Sequence, residues 1–178
     1  MNPSRNLFLI GPTGAGKSSL GRRLAAHYGL AFVDLDQVIE ARCGAPIATI
    51  FELEGEAGFR RRERLALAEQ ASGEDVLLAT GAGIVLDPAN RDTLAARGFV
   101  VWVQATLEQQ LERLTHDTRR PLLAVADRRA RLETMARERL PHYQALAELA
   151  LPPVGGMHAA SAHCIELLDA HWRRARAA

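Results

Sequence analysis

Residues 11–18 read Gly11-Pro12-Thr13-Gly14-Ala15-Gly16-Lys17-Ser18. The stretch fits G-x-x-x-x-G-K-[ST] at every fixed position, the pattern of a loop that wraps the phosphates of a nucleotide. Its glycines let backbone N–H groups approach phosphate oxygens closely, and the N-terminus of a following helix adds a favourable dipole. Lys17 is the only lysine in the chain. A compact ammonium on a flexible stem fits inside a tight backbone cradle, where the wide planar fork of arginine does not. Lys17 is therefore expected at the β- and γ-phosphates, and the Ser18 hydroxyl at Mg²⁺. Gly14, Ala15, Gly16 and Ser19 complete the loop's own share of the residues expected around the nucleotide.

The flanks supply the context this loop requires. Residues 7–10, Leu-Phe-Leu-Ile, are an apolar run without alternation, which reads as a buried parallel strand. Residues 17–28 have apolar positions at helical spacing and stop at Gly29, a C-cap. Further short apolar runs at 31–33, 76–79 and 99–103 predict three more strands, and 147–151 a fifth. Helices are expected at 37–42, 48–53, 56–71, 88–97 (capped by Asp87, with Pro88 first), 106–114 (capped by Thr106), 127–143 and 159–174. Strands alternating with helices imply parallel pairing, and the expected fold is α/β: a three-layer phosphate-loop NTPase domain over 1–178, with a central five-stranded parallel sheet and helices on both faces. Ligands of such sheets bind beyond the carboxyl ends of the strands. Gly11, Asp34, Asp36 and Gly81 to Gly83 all follow strands and should converge on one crevice.

Composition narrows the function. The chain has 178 residues and a formal net charge of +1, so no global field favours nucleic acid or an anionic membrane. No stretch approaches the ~20 apolar residues of a membrane span. Cys43 and Cys164 form no C-x-x-C pair, which suits a reduced, cytoplasmic protein. The six histidines lack the paired spacing of a zinc site. Guanine-specific GTPases need a second lysine in N-K-x-D, which a chain with one lysine cannot supply. Large motor ATPases and transporters need an apolar strand ending in Asp-Glu, whereas Val100-Val101-Trp102-Val103 ends in Gln104. A small kinase acting on a small molecule remains.

Five further segments occur in order: Phe32-Val33-Asp34-Leu35-Asp36, then Gly55-Glu56-Ala57-Gly58-Phe59-Arg60 with Glu63, Gly81-Ala82-Gly83, Arg120-Pro121-Leu122-Leu123, and Arg139-Leu140-Pro141-His142-Tyr143. With the phosphate loop, they make the chain resemble the shikimate kinase family across nearly its whole length. The resemblance implies phosphorylation of the 3-hydroxyl of shikimate with ATP and Mg²⁺, on the route to chorismate and aromatic amino acids, by a monomer. Catalytic roles fall to Lys17, Asp36 and Arg120. Asp36 would receive the acceptor hydroxyl and Asp34 reach Mg²⁺ alongside Ser18; both can also serve as helix N-caps, Asp36 especially. Arg60 and Arg139 would hold the acid's carboxylate, for which guanidinium gives bidentate geometry. Glu63, three residues after Arg60 on the same helix face, could hold that guanidinium in place.

Acid binding is expected over about 36–64, with loop N–H groups of Gly81, Ala82 and Gly83 contributing. The family usually has three glycines at 81–83, so the Ala82 methyl would cost ~1 kcal/mol if a positive φ were needed. Phe51 and Phe59 could pack beside the ring or in the core. Residues 115–126 resemble the family's mobile lid, bringing Arg120 to the transferring phosphoryl group, and Arg113 matches a position that stacks on adenine. Arg61, Arg62 and Arg64 are expected to be solvated. The alternatives are another kinase of this architecture, such as one for gluconate or a nucleoside monophosphate, and a kinase-like sensor that binds without turnover.

Overall fold

The computed structural model describes residues 4–115, 121–153 and 156–172. Its five strands are β1 (Leu7–Ile10), β2 (Ala31–Asp34), β3 (Val76–Ala79), β4 (Phe99–Val103) and β5 (Leu149–Leu151). They form one sheet in the order β2-β3-β1-β4-β5, and every pairing is parallel. Leu7 sits between Leu77 and Phe99 in register. β1 is therefore central, and its chain connection leaves at the point where strand order reverses. That is where an open parallel sheet makes its crevice.

The side chains of β1 are 0 % exposed on both faces, which is why this strand reads as a continuous apolar run. The two-residue period of a strand splits them into two cores. Leu7 and Leu9 join α1 (Lys17–Tyr28) and α7 (Met157–His171) through Leu20, Leu24, Cys164 and Leu168. Phe8 and Ile10 face the other layer, α2 (Leu35–Cys43), α3 (Ile47–Gln70), α4 (Pro88–Arg97) and the end of α6 (Arg128–Leu146), through Leu35, Ile39, Leu67, Leu94 and Tyr143. A smaller cluster of Leu114, Leu123, Leu132 and Met135 binds α5 (Leu107–Leu114) to α6.

The expected caps are present. Asp87 accepts from the Ala89 N–H ahead of α4, and Thr106 with Gln109 forms a reciprocal capping box on α5. Two details differ from the sequence reading. The helices expected at 48–53 and 56–71 run on as α3, bent at Gly55, whose φ of 67° and ψ of −179° only glycine adopts readily. The cap of α2 is Asp34, not Asp36: its side chain accepts from the N–H groups of Asp36 and Gln37, and Asp36 lies inside the first turn. Among the described residues no helix is long and apolar enough to cross a membrane.

Candidate active site

The loop after β1 turns back on itself before α1 begins. Gly11 has a φ of +140°, and a Cβ there would lie 2.2 Å from the Val103 carbonyl oxygen of β4. Glycine is thus required by both backbone angle and the neighbouring strand. Gly16 caps α1 in the left-handed conformation with no side-chain hydrogen bond. The first N–H groups of a twelve-residue helix are left without a side-chain cap, the arrangement that accepts a phosphate. Lys17 is 8 % exposed, and its Nζ donates to the carbonyls of Gly11 and Pro12 at 2.8 Å each. Those bonds curl the side chain over the loop and keep a buried cation solvated by backbone.

Ser18 and Asp34 meet at the same end of the sheet. The Ser18 hydroxyl donates to Asp34 Oδ2 at 2.6 Å, while Asp34 Oδ1 accepts from Asp36 N at 3.2 Å. One carboxylate thus anchors α2 and reaches the phosphate loop. The two oxygen donors stand together, which suits a hard divalent cation. The donors fit the metal that the sequence reading assigned to them.

Beside this loop lies a cavity lined by Thr13, Asp36, Arg60, Glu63, residues 81–83 and Arg139, with Phe51 and Phe59 on its apolar side. Every expected acceptor residue is on it, and Thr13 belongs to the phosphate loop itself. The two Phe rings lie 4.8 Å apart; Phe59 lines the cavity and is also part of the core. Arg60 Nη1 donates to Glu63 Oε2 at 2.7 Å and Nη2 to Glu56 Oε1 at 3.0 Å. Glu63 is 0 % exposed and does hold the guanidinium. Burial pushes the Glu63 carboxyl upward in pKa against the pull of Arg60. Burial disfavours the Arg60 charge, but Glu63 and Glu56 outweigh it and raise its pKa. Arg139, 4 % exposed, is pushed the other way by burial. A buried cation of that kind is a ready partner for an anionic ligand.

The 81–83 loop follows β3. No non-glycine residue other than Asp75 has a positive φ among the described residues, so the Ala82 methyl sits on ordinary backbone and the expected strain is absent. Close approach matters at Gly83 instead, where a Cβ would fall 2.3 Å from Arg60 Nη2. Arg113 donates from Nη1 to the Gly14 carbonyl at 2.9 Å and lines a second, smaller cavity with Ala15, Gln104 and Pro152. It is thereby placed at the phosphate loop. Arg62 is exposed as expected but clasps Glu54 across the bend in α3. Arg120 lies outside the described residues, as do 116–120 of the expected lid. Sequence reasoning missed Thr13, Met135 and Leu122 as cavity-lining residues. It also missed the bond from Tyr143 to Ala82.

A parallel sheet with strand order 2-3-1-4-5, a glycine-rich phosphate loop at its switch point and an arginine-lined acceptor cavity alongside define a phosphate-loop kinase of a small molecule. The shikimate kinase family model matches residues 13–166, and the chain belongs to the shikimate kinase family. It is 51 % identical over 153 residues to shikimate kinase of Francisella tularensis subsp. novicida, covering 85 % of this chain and 87 % of the relative. A shikimate kinase from Acinetobacter baumannii, solved in complex with shikimate, superposes with a TM-score of 0.89 at 40 % identity, over 94 % of this chain and 92 % of that one. A gluconokinase from Sinorhizobium meliloti shares the fold alone, with a TM-score of 0.56 at 17 % identity over 94 % of this chain and 96 % of that one.

Proposed function

We propose that this protein transfers the γ-phosphoryl group of ATP to the 3-hydroxyl of shikimate, as a soluble cytoplasmic monomer of one domain, 1–178, in the synthesis of chorismate. The observation that carries the proposal is the shared wall. Thr13 of the phosphate loop, Asp36 and Arg139 line one cavity, so an anionic ring acid held there stands against the nucleotide's phosphates. The relative solved with shikimate bound supports the same acceptor.

Arg60 and Arg139 take the carboxylate, and the N–H groups of residues 81–83 add further donors. Asp36 orients the acceptor hydroxyl and can receive its proton as the oxygen attacks the γ-phosphorus. The bond from that phosphorus to the bridging oxygen breaks, and ADP leaves with the electron pair. Lys17 exchanges its carbonyl partners for phosphate oxygens and neutralises charge on the leaving group. Gly14, Ala15, Gly16, Ser18 and Ser19 cradle the triphosphate, and Arg113 flanks the adenine. Ser18 and Asp34 would hold Mg²⁺, which supplies charge neutralisation between the phosphates when bound. Arg120, outside the described residues, contributes a guanidinium to the transferring group. Catalysis on this scheme is chiefly positioning and electrostatics.

The test is ADP release with ATP and Mg²⁺, with shikimate present and absent, beside gluconate and nucleoside monophosphates. Shikimate-dependent release far above that of the other acceptors is expected. Faster turnover of another acceptor refutes the substrate, and tight binding with no release refutes the enzyme.

A further inference from the structure

Helix α6 brings Arg139 to the acceptor cavity and Tyr143 to the 81–83 loop that lines it. Tyr143 follows Arg139 by one helical turn, so both project from the same face. The Tyr143 ring is 3 % exposed and stacks on Trp102, with centroids 5.9 Å apart and planes 21° from parallel. Its hydroxyl donates to the Ala82 carbonyl at 2.5 Å. That carbonyl is 61 residues away in sequence, in the middle of the loop that lines the acceptor cavity. Burial keeps the phenol protonated with its pKa raised far above the ordinary value, although the neighbouring Arg139 guanidinium favours the charged form. The oxygen therefore keeps the proton it donates to Ala82 and faces Arg139 as well.

We infer that Tyr143 is a positioning residue for the acceptor: its hydroxyl ties the Ala82 carbonyl to the Arg139 end of α6 and so sets the separation of the two walls that hold the acid. The inference rests on the acceptor site proposed above. Peptide planarity carries the effect further. The Ala82 carbonyl and the Gly83 N–H lie on opposite edges of one rigid plane, so pinning the carbonyl fixes the direction of that donor. A clamp whose two sides are held in place before binding loses less freedom when the ligand arrives. The nucleotide side is built from other elements, the loop between β1 and α1 with Asp34 of β2 and Arg113 of α5, and is not held by this bond.

The test is Tyr143→Phe, which keeps the ring and its stack on Trp102 and removes only the hydroxyl. The acceptor KM is expected to rise about tenfold, the scale of one lost hydrogen bond, with the ATP KM and kcat within about threefold of wild type. An unchanged acceptor KM, or equal rises in both KM values, overturns the inference. Ala82→Gly loosens the same backbone. Combined with Tyr143→Phe it should raise KM by more than the product of the two single effects, and a simple product also counts against the inference. In the wild-type protein, whatever the variants' yield, proton NMR should show a Tyr143 hydroxyl proton protected from exchange; rapid exchange refutes the bond. Wild-type turnover is read in parallel. A wild type inert toward shikimate removes the proposed acceptor, and the Tyr143 comparison is then made with the ring-hydroxyl acid it does phosphorylate.

Discussion

Gly83→Ala isolates the role of Arg60 without touching its charge. Gly83 has φ −92° and ψ 0°, angles open to any residue, so alanine adds no backbone strain. Its Cβ would stand 2.3 Å from Arg60 Nη2, 2.5 Å from Nη1 and 2.6 Å from Cζ. Ordinary contact begins at 3.4 Å, so the guanidinium must retreat by roughly 1 Å, the difference between 3.4 and 2.3. It can do so, being the far end of a flexible side chain, and the stability loss should stay near ~1 kcal/mol. It cannot do so and keep its 2.7 Å bond to Glu63 and its aim into the cavity. A hydrogen bond to a charged partner is worth about 1.5–3 kcal/mol. Losing its alignment predicts an acceptor KM roughly 10- to 100-fold higher. Coupled ADP-release rates would be measured against each substrate in turn with the other saturating. The ATP KM should hold, since residue 83 lies outside the phosphate loop. A folded variant whose acceptor KM stays within threefold of wild type would show that Arg60, in the pose seen here, does not bind the acid.

Ser18→Ala removes the hydroxyl that meets Asp34 at 2.6 Å. Turnover should fall by about a hundredfold, on the order of 2.7 kcal/mol, with a higher Mg²⁺ requirement; an unchanged Mg²⁺ titration refutes the assignment. Burial raises Glu63 above the ordinary carboxylate value of 4.5, so the folded chain holds this proton more tightly than the unfolded one. That stabilisation is present below about pH 4.5 and is lost as pH rises through the higher folded pKa. Urea unfolding across that range should decline less steeply for Glu63→Gln, and equal slopes would count against the buried titration. Cys164 is 0 % exposed and burial pushes its thiol up to about 12. At pH 8 a disulfide reagent should titrate Cys43 alone in the native protein and both thiols after unfolding; two fast native thiols would contradict the packing of α7.

The phosphate loop was legible because its chemistry and its geometry are the same thing: Gly11 and Gly16 are glycines for backbone reasons that appear in the sequence directly. The strands were legible because a sheet buried on both faces leaves unbroken apolar runs at Leu7–Ile10 and Val76–Ala79. The Asp34 and Asp36 caps were confused because both follow the same strand, two residues apart. Only the register of Asp34 against Ala79 shows that extended backbone reaches residue 34 and that the helix begins at once. Arg60 and Arg139 were found by motif, yet their burial was not, since a run such as Arg60-Arg61-Arg62 does not say which member turns inward. The bond from Tyr143 to Ala82 had no local signal. It depends on where α6 crosses the second core, a property of the whole packing.

The place of β1 in the sheet bears on how the protein can be made. β1 pairs with β3 and β4 and never with β2, its neighbour in the chain. During synthesis the first strand emerges with no partner, and it waits for Ala79 and then for Val103, against whose carbonyl Gly11 closes. At ~5–20 residues per second this is a delay of roughly 5–20 s, in which a fully apolar strand and an unformed phosphate cradle stand open. A ribosome-bound nascent chain should therefore gain nucleotide affinity only once the fourth strand has left the tunnel.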